Sequence, residues 1–177
     1  DELILNIDNS FFYQHYKSIE TNGLIIKSNN SKGVMIKGYD AYDKNHYLFN
    51  SINMGALIQN PKSEILIGDS LANEMNLNVG DKVKIAIPKT DKTILGNIPR
   101  FKTLEVVGVF DLGLYEYDSN LIFLSSELVR KLLLYDEDIY NKIEFFTSSP
   151  NEIELFKNKV ELETSNLLLN FYSISWK

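Results

Sequence analysis

The feature that most constrains the fold lies near the carboxyl end, where the sequence predicts a strand, a helix and a second strand in succession. Residues 142–146 predict the first strand, and residues 167–174 predict the second. Between them, Ser149-Pro150-Asn151-Glu152 has a capping-box pattern with proline at the first helical position. The apolar stripe of this helix is Ile153, Phe156 and Val160. Two strands joined by a helix pair in parallel, so an α/β layer is predicted here.

Most of the remaining chain predicts short strands separated by turns. Apolar and β-branched runs bounded by polar or glycine-containing segments are typical of strands. Such runs are found at residues 2–8, 24–27, 34–38, 64–68, 83–87, 104–110 and 120–124. The polar turn at 28–32 predicts a hairpin, and Gly80 with Asp81 suits a tight turn. Helices are predicted after Asp69, as the capping residue, and at 125–135.

The composition of the chain limits the classes of function that it can have. A chain of 177 residues with 44% hydrophobic content can bury a core as one compact domain or two lobes. A net charge of −6 argues against a nucleic-acid binder, and the absence of cysteine excludes disulfides and thiolate catalysis. No apolar stretch reaches the roughly 18 residues of a membrane span. A strand predicted at the first residues suggests a fragment of a longer protein.

Motifs for chemistry are sparse. His15 and His46 have no second ligand at metal-binding spacing, and the nucleophile, P-loop and dinucleotide motifs are absent. Acidic residues cluster at 136–138 and at Glu116 with Asp118, but they do not match a calcium loop and are interpreted as solvated turns. We therefore predict no catalytic residue, no metal site and no cofactor. A catalytic triad assembled in space remains an open alternative.

The most distinctive segment is the strand-to-strand loop predicted at residues 88–100. Six cations occur from position 82 to position 102, opposed by Asp91 alone: Lys82, Lys84, Lys89, Lys92, Arg100 and Lys102. Within the loop, Ile94, Leu95 and Ile98 lie between two prolines. Because loops lie at the surface, such apolar side chains either fold back onto the body or contact a partner.

Several short motifs occur in a fixed order along the chain. They are Gly23-Leu24, Gly33-Val34-Met35-Ile36-Lys37-Gly38, Ile65-Leu66-Ile67-Gly68-Asp69-Ser70-Leu71-Ala72, Val79-Gly80-Asp81, Ile87-Pro88, Leu95-Gly96-Asn97-Ile98-Pro99-Arg100 and Val106-Val107-Gly108-Val109-Phe110. Over residues 21–177 this order resembles the periplasmic domain of LolC/LolE-type permeases. These are membrane subunits of the bacterial lipoprotein-releasing ABC transporter of the inner membrane.

The resemblance implies an α+β fold of two lobes. A Porter-like α/β lobe would be built from both chain ends, residues 1–38 and 139–177. A mainly β Sabre-like lobe, residues 39–138, would be inserted and carry a hook hairpin. It also implies a non-enzymatic role, because ATP hydrolysis belongs to a separate cytoplasmic subunit, LolD, reached through the membrane part. A second permease subunit, forming a homo- or heterodimer, and lipoprotein cargo are the other implied partners.

In LolC-like members the hook captures the periplasmic carrier LolA. The residues that correspond to the hook are Pro88, Thr93, Ile94, Leu95, Gly96, Asn97, Ile98, Pro99 and Arg100. Those that correspond to its supporting pad are Lys84, Phe101 and Lys102. The sequence departs from the family where Ile94-Leu95 replaces a Pro-Met tip and where Phe101 replaces a polar residue. Residues 113–119 look closer to LolE-like or single-permease members.

The sequence also allows two other interpretations of function. A MacB-like efflux permease would share the architecture but use a different partner. A soluble small-molecule binding protein or hydrolase would require a deep pocket with convergent polar groups.

Overall fold

The computed structural model describes residues 12–93, 96–147 and 150–166. The strands are β1 (Gln14–Lys27), β2 (Asn30–Tyr39), β3 (Ile52–Gly55), β4 (Glu64–Gly68), β5 (Lys82–Thr93), β6 (Gly96–Phe110), β7 (Leu121–Ser125) and β8 (Lys142–Phe146). The helices are α1 (Asp69–Met75), α2 (Tyr115–Asn120), α3 (Ser126–Leu133) and α4 (Ile153–Asn166). Short 3₁₀ turns occupy Tyr47–Ser51 and Pro150–Glu152. Within these ranges no helix is long and apolar enough to cross a membrane.

Six strands form a barrel-like sheet in the order β1, β2, β7, β4, β6 and β5, with β5 pairing back to β1. The β2–β7 and β4–β6 pairs are parallel, and the other four pairs are antiparallel. β3 pairs with β6, and β8 pairs with β1. This arrangement confirms the predicted α+β class.

The first hairpin shows how the alternation of side chains sets the register. The predicted polar turn joins β1 to β2, with Lys27 opposite Asn30. Every second residue faces the core, so Ile25, Val34 and Ile36 are buried while Leu24 remains exposed. A slip of one residue would reverse this assignment and expose the apolar set, which makes the observed register strongly preferred.

The core lies inside this sheet and under α1 and α3. Its buried residues include Ile19, Ile25, Val34, Ile36, Ile65, Ile67, Leu71, Val83, Ile85, Ile87, Leu104, Val106, Val109, Ile122, Leu124, Leu128, Val129 and Leu132. Ser125 caps α3, because its Oγ accepts a hydrogen bond from the Leu128 amide at 3.1 Å. The same Oγ donates to the Pro61 carbonyl oxygen, so the helix start is tied to the segment before β4.

Three local predictions need correction. Asp69 does not cap α1, since Gly68 occupies the N-cap and Asp69 is the first helical residue. Its carboxylate accepts a hydrogen bond from Asn73 one turn later, at 3.1 Å. β3 lies between residues 38 and 64, where no strand was predicted, and pairing with β6 supplies its hydrogen bonds. α2 lies between the predicted strands at 104–110 and 120–124, where no helix was predicted.

The chain divides into two compact units, of which the larger comprises Lys17–Lys142. The described part of the smaller unit runs to Tyr16 and resumes at Ile143. There Phe12 packs with Phe145, Phe156 and Val160, and the Tyr13 amide donates to the Phe146 carbonyl at 3.0 Å. The strand at residues 142–146 and the following helix are confirmed, but Pro150 begins a 3₁₀ turn and the α-helix itself begins at Ile153. The predicted strands at 2–8 and 167–174 lie outside the described residues, as does Ser149.

The division falls elsewhere than the predicted boundaries after residues 38 and 138. β2 and most of β1 lie in the larger unit, where they pair with β7 and β5. Without these two strands the sheet could not close. A Porter-like lobe at residues 1–38 and 139–177 and a Sabre-like lobe at residues 39–138 remain expectations.

Candidate functional site

The predicted loop at residues 88–100 is largely an extension of the β5–β6 hairpin. Pairing continues from Lys82 opposite Glu105 to Thr93 opposite Gly96. A bulge interrupts the register, because Ile87 pairs with Arg100 while Thr90 pairs with Pro99. Pro88 and Lys89 supply the extra residues. Proline has no amide hydrogen to donate, so a bulge is one of the few places where a paired strand accepts it.

The outer half of this hairpin has no third strand among the described residues. β5 pairs with β1 from Lys84 to Ala86, and β6 pairs with β4 from Glu105 onward. From the Ile87–Arg100 pair outward, β5 and β6 pair with no described strand other than each other. The hairpin thus leaves the sheet as a two-stranded arm, an arrangement that has little stability of its own in water.

The start of the hairpin is anchored by its tight turn. Gly80 has a φ of +93°, a conformation that glycine adopts without strain, and its amide donates to the Val106 carbonyl at 2.7 Å. The Asp81 carboxylate accepts from the Asn78 amide and from Lys27 Nζ, each at 2.8 Å. The hydrogen bond from Lys27 holds the pKa of Asp81 below its ordinary value. The arm is therefore fixed firmly at its base.

One face of the hairpin points away from the core. Lys84 and Phe101 lie diagonally on this face, with Lys84 Nζ 5.6 Å from the centre of the Phe101 ring. Leu24 and Ala86 extend the row, because Leu24 is directly opposite Ala86 on β1 and Ala86 is directly opposite Phe101. Phe101 is 50% exposed and Leu24 is 45% exposed. This outer face combines accessible apolar surface with a cation.

The opposite face carries Arg100 and Lys102. They are opposite Ile87 and Ile85, both buried, so alternation places their side chains on the core side of the hairpin. Arg100 Nη1 donates to the Lys131 carbonyl oxygen at the end of α3, at 3.3 Å. The three residues predicted as one pad are therefore divided: Lys84 and Phe101 lie together on the outer face, and Lys102 lies on the inner one.

The predicted tip residues Ile94 and Leu95 lie outside the described residues. For the other predicted hook residues Thr93, Asn97, Ile98 and Pro99, the structure describes only the backbone. What the backbone shows is that Thr93 and Gly96 are paired immediately beside the tip.

Two other residues considered from the sequence, His46 and Asp118, have structural roles. His46 is 3% exposed, stacks on Tyr47 with ring centres 4.7 Å apart, and accepts a hydrogen bond at Nδ1 from the Leu48 amide. Asp118 is buried, and its carboxylate accepts from the Leu112 and Leu114 amides at 2.9 and 3.2 Å. It closes the turn before α2. The sequence did not predict these two structural roles, because both depend on contacts with backbone amides that only the folded geometry shows.

His15 contacts Phe12 and Phe145 in the smaller unit. Among residues 12–93, 96–147 and 150–166, no three His, Asp or Glu side chains are arranged to hold a metal ion.

Comparison by sequence finds relatives over about half of the chain. This chain is 30% identical, over 96 residues or 53% of its length, to the lipoprotein-releasing system transmembrane protein LolC of Xylella fastidiosa strain 9a5c. It is 33% identical over 76 residues, 43% of the chain, to the protein of the same name from Neisseria meningitidis serogroup B. The matched segments span 23% and 18% of the length of these relatives. No family model matches the chain.

Comparison by structure covers nearly the whole chain. The extracellular domain of the noncanonic ABC-type transporter YknZ from Gram-positive bacteria superposes with a TM-score of 0.60, covering 96% of this chain and 83% of that one, at 12% identity. The periplasmic region of MacB from Actinobacillus actinomycetemcomitans gives 0.58, covering 95% and 73%, at 14% identity. The resemblance predicted from the sequence is thereby confirmed: the chain is a partial homologue of LolC and has the fold of the extracytoplasmic domains of MacB and YknZ.

Proposed function

We propose that this chain is the periplasmic domain of a lipoprotein-releasing ABC permease of the bacterial inner membrane. In this role it docks a LolA-like carrier through the β5–β6 arm, so that lipoproteins pass from the membrane to the carrier. The domain itself performs no catalysis. ATP is hydrolysed by a cytoplasmic LolD-like subunit, and a second permease subunit completes the transporter.

The observation that carries the proposal is the two-stranded arm. Its backbone hydrogen bonds are made within the hairpin, and beyond Ile87 and Arg100 no other described strand supports it. Sequence places Ile94, Leu95 and Ile98 at its end. An apolar tip on such an arm gains stability when a partner covers it, because burial removes apolar surface from water. The relatives named LolC support the choice of a lipoprotein carrier as that partner.

The test is binding of the purified domain to the LolA-type carrier encoded in the same genome, measured by biolayer interferometry. The double variant Ile94→Asp/Leu95→Asp is expected to weaken binding at least tenfold, since two apolar anchors become charged. A matched control is Leu155→Asp/Leu162→Asp, which makes the same change at two exposed leucines of α4. Equal binding by the tip variant and the wild type would refute docking through the tip.

A MacB-like efflux permease is the alternative, favoured by the structural match to the MacB periplasmic region. It predicts binding to a periplasmic adaptor protein encoded beside the permease and no binding to the carrier. The same assay with both candidate partners separates the two functions.

A further inference from the structure

Arg100 lies at the point where the arm leaves the sheet. It is opposite Ile87 in the last pair before the bulge, and the next pair outward joins Thr90 to Pro99. Ile87 is buried, so alternation places the half-buried Arg100 on the inner face of the hairpin. The resemblance implies that Arg100 contacts a partner protein, whereas this position directs its side chain toward the body of the domain.

The group that Arg100 contacts is a carbonyl oxygen at the C-terminal end of α3. Arg100 Nη1 donates to the Lys131 carbonyl at 3.3 Å. In a continued helix this oxygen would accept from the Tyr135 amide. Leu134 instead adopts a left-handed conformation, with a φ of 56°, and the Tyr135 amide donates to the Arg130 carbonyl at 3.0 Å. The guanidinium therefore supplies a donor to one of the carbonyls that a helix end leaves without an intrahelical partner.

The charge of Arg100 and the rigidity of α3 both suit this contact. The C-terminal end of a helix carries a partial negative charge, so a cation is stabilised there. α3 packs against β5 and β6, and its residues Leu128, Val129 and Leu132 belong to the main hydrophobic cluster. The contact thus joins the root of the arm to an element that the core holds in place.

The arm needs a contact of this kind to keep one direction. Beyond Ile87 and Arg100 its two strands have no third strand beside them among the described residues. The bulge at Pro88 and Lys89 interrupts the ladder at the same point, and a bulge bends and twists its strand locally. The arm can therefore swing about this point unless a contact outside the hairpin restrains it.

We propose that Arg100 is a positioning residue, which holds the arm in one direction relative to α3 and does not itself contact the carrier. This inference rests on the proposed function, in which the arm docks the carrier. An arm that is already held in its docking direction loses less conformational freedom when the partner binds, so the contact raises affinity without touching the partner.

The first experiment measures the direction of the arm in the absence of a carrier. Residual dipolar couplings of the amides at residues 90–92 and 96–98 are compared by NMR with those of the sheet. In the wild type we expect one alignment tensor to fit both sets. Arg100→Met keeps the length of the side chain and removes its donors. Its arm couplings should be about twofold smaller, because motion over several directions averages them.

The control for this experiment is Lys84→Met, which removes a cation from the outer face of the same hairpin. It should leave the arm couplings unchanged. Sheet couplings that match the wild type establish that each variant is folded. Arm couplings that are equal in Arg100→Met and the wild type would overturn the inference.

The second experiment separates positioning from direct contact. The chain contains no cysteine, so Arg100→Cys/Lys131→Cys can be joined selectively by bismaleimidoethane, which links the arm to α3 without a guanidinium. Before cross-linking we expect carrier affinity about fivefold below that of the wild type, and after cross-linking an affinity within about twofold of it. Lys131→Cys alone, treated with the same reagent, controls for modification of α3.

The outcomes distinguish this inference from the proposed function. If the wild type does not bind the carrier, the proposed function fails, and the dipolar couplings decide the role of Arg100. If the wild type binds and cross-linking does not restore the affinity of the double variant, Arg100 contacts the carrier itself and the inference alone fails.

Discussion

At the scale of single residues, Gly68 shows how one position can determine whether the sheet and its helices fit together. It is the N-cap of α1, at the end of β4. A Cβ atom placed there would lie 2.1 Å from the backbone oxygen of Asp118, which real structures do not allow. Because backbone must move to relieve this contact, the site tolerates no larger side chain without distortion.

Gly68→Ala is therefore expected to lower the free energy of unfolding by about 3 kcal/mol, as for a severe case of overpacking. Gly33→Ala is the matched control, since a Cβ at Gly33 would have no neighbour within 4 Å. It should change stability by less than about 0.5 kcal/mol. Urea unfolding of both variants provides the measurement. A Gly68→Ala variant as stable as Gly33→Ala would show that α2 moves away at little cost.

Residue type alone did not determine where the lysines of the hairpin point. Lys84 and Lys102 both lie on strands in a basic stretch, and the sequence predicted that they belong to one contact surface. Their separation follows from the pairing of Ile85 with Lys102, which the sequence does not reveal. The sequence identified the arm as a distinctive segment. Which face of the hairpin each side chain occupies could be assigned only from the register of β5 and β6.

At the scale of secondary-structure elements, β5 changes its surroundings along its length. From Lys84 to Ala86 it lies between β1 and β6, and beyond Ile87 it pairs, among the described strands, with β6 alone. Hydrogen exchange should register this change, because backbone hydrogen bonds in a two-stranded arm open more readily than those in the body of a sheet. We expect amides of residues 90–92 to exchange at least tenfold faster than those of residues 83–86.

Exchange measured by NMR checks this difference residue by residue, and added carrier should slow exchange in the arm if docking occurs there. Equal protection along β5 would mean that the arm is stabilised by contacts other than its own pairing. The prediction concerns the free domain and holds whichever partner the arm binds.

The sequence predicted elements better than it predicted their connections. β4, α3 and the β1–β2 hairpin follow from local patterns, because alternation, caps and turn residues act over a few positions. β3 and the outward half of β5 depend on pairing with β6, a contact between distant segments. Pro88 was interpreted as the end of a strand, since proline normally interrupts pairing, but a bulge accommodates it.

At the scale of the whole molecule, the larger unit contains a complete hydrophobic core. Every buried residue of the main cluster, from Ile19 to Leu133, belongs to Lys17–Lys142. The boundaries predicted from the sequence would instead give a lobe of residues 39–138. That lobe lacks β1 and β2, and with them Ile19, Ile25, Val34 and Ile36.

A fragment of residues 17–142 is accordingly expected to fold alone, because a domain with its own core and a closed sheet needs no further chain. A fragment of residues 39–138 should not fold, since it loses four side chains of the main hydrophobic cluster and leaves β5 and β7 with unpaired edges inside the sheet. Circular dichroism and thermal melting distinguish the outcomes: a cooperative transition for the first fragment and none for the second. A cooperative melt of the shorter fragment would instead support the predicted boundary and would mean that β1 and β2 are dispensable for the barrel.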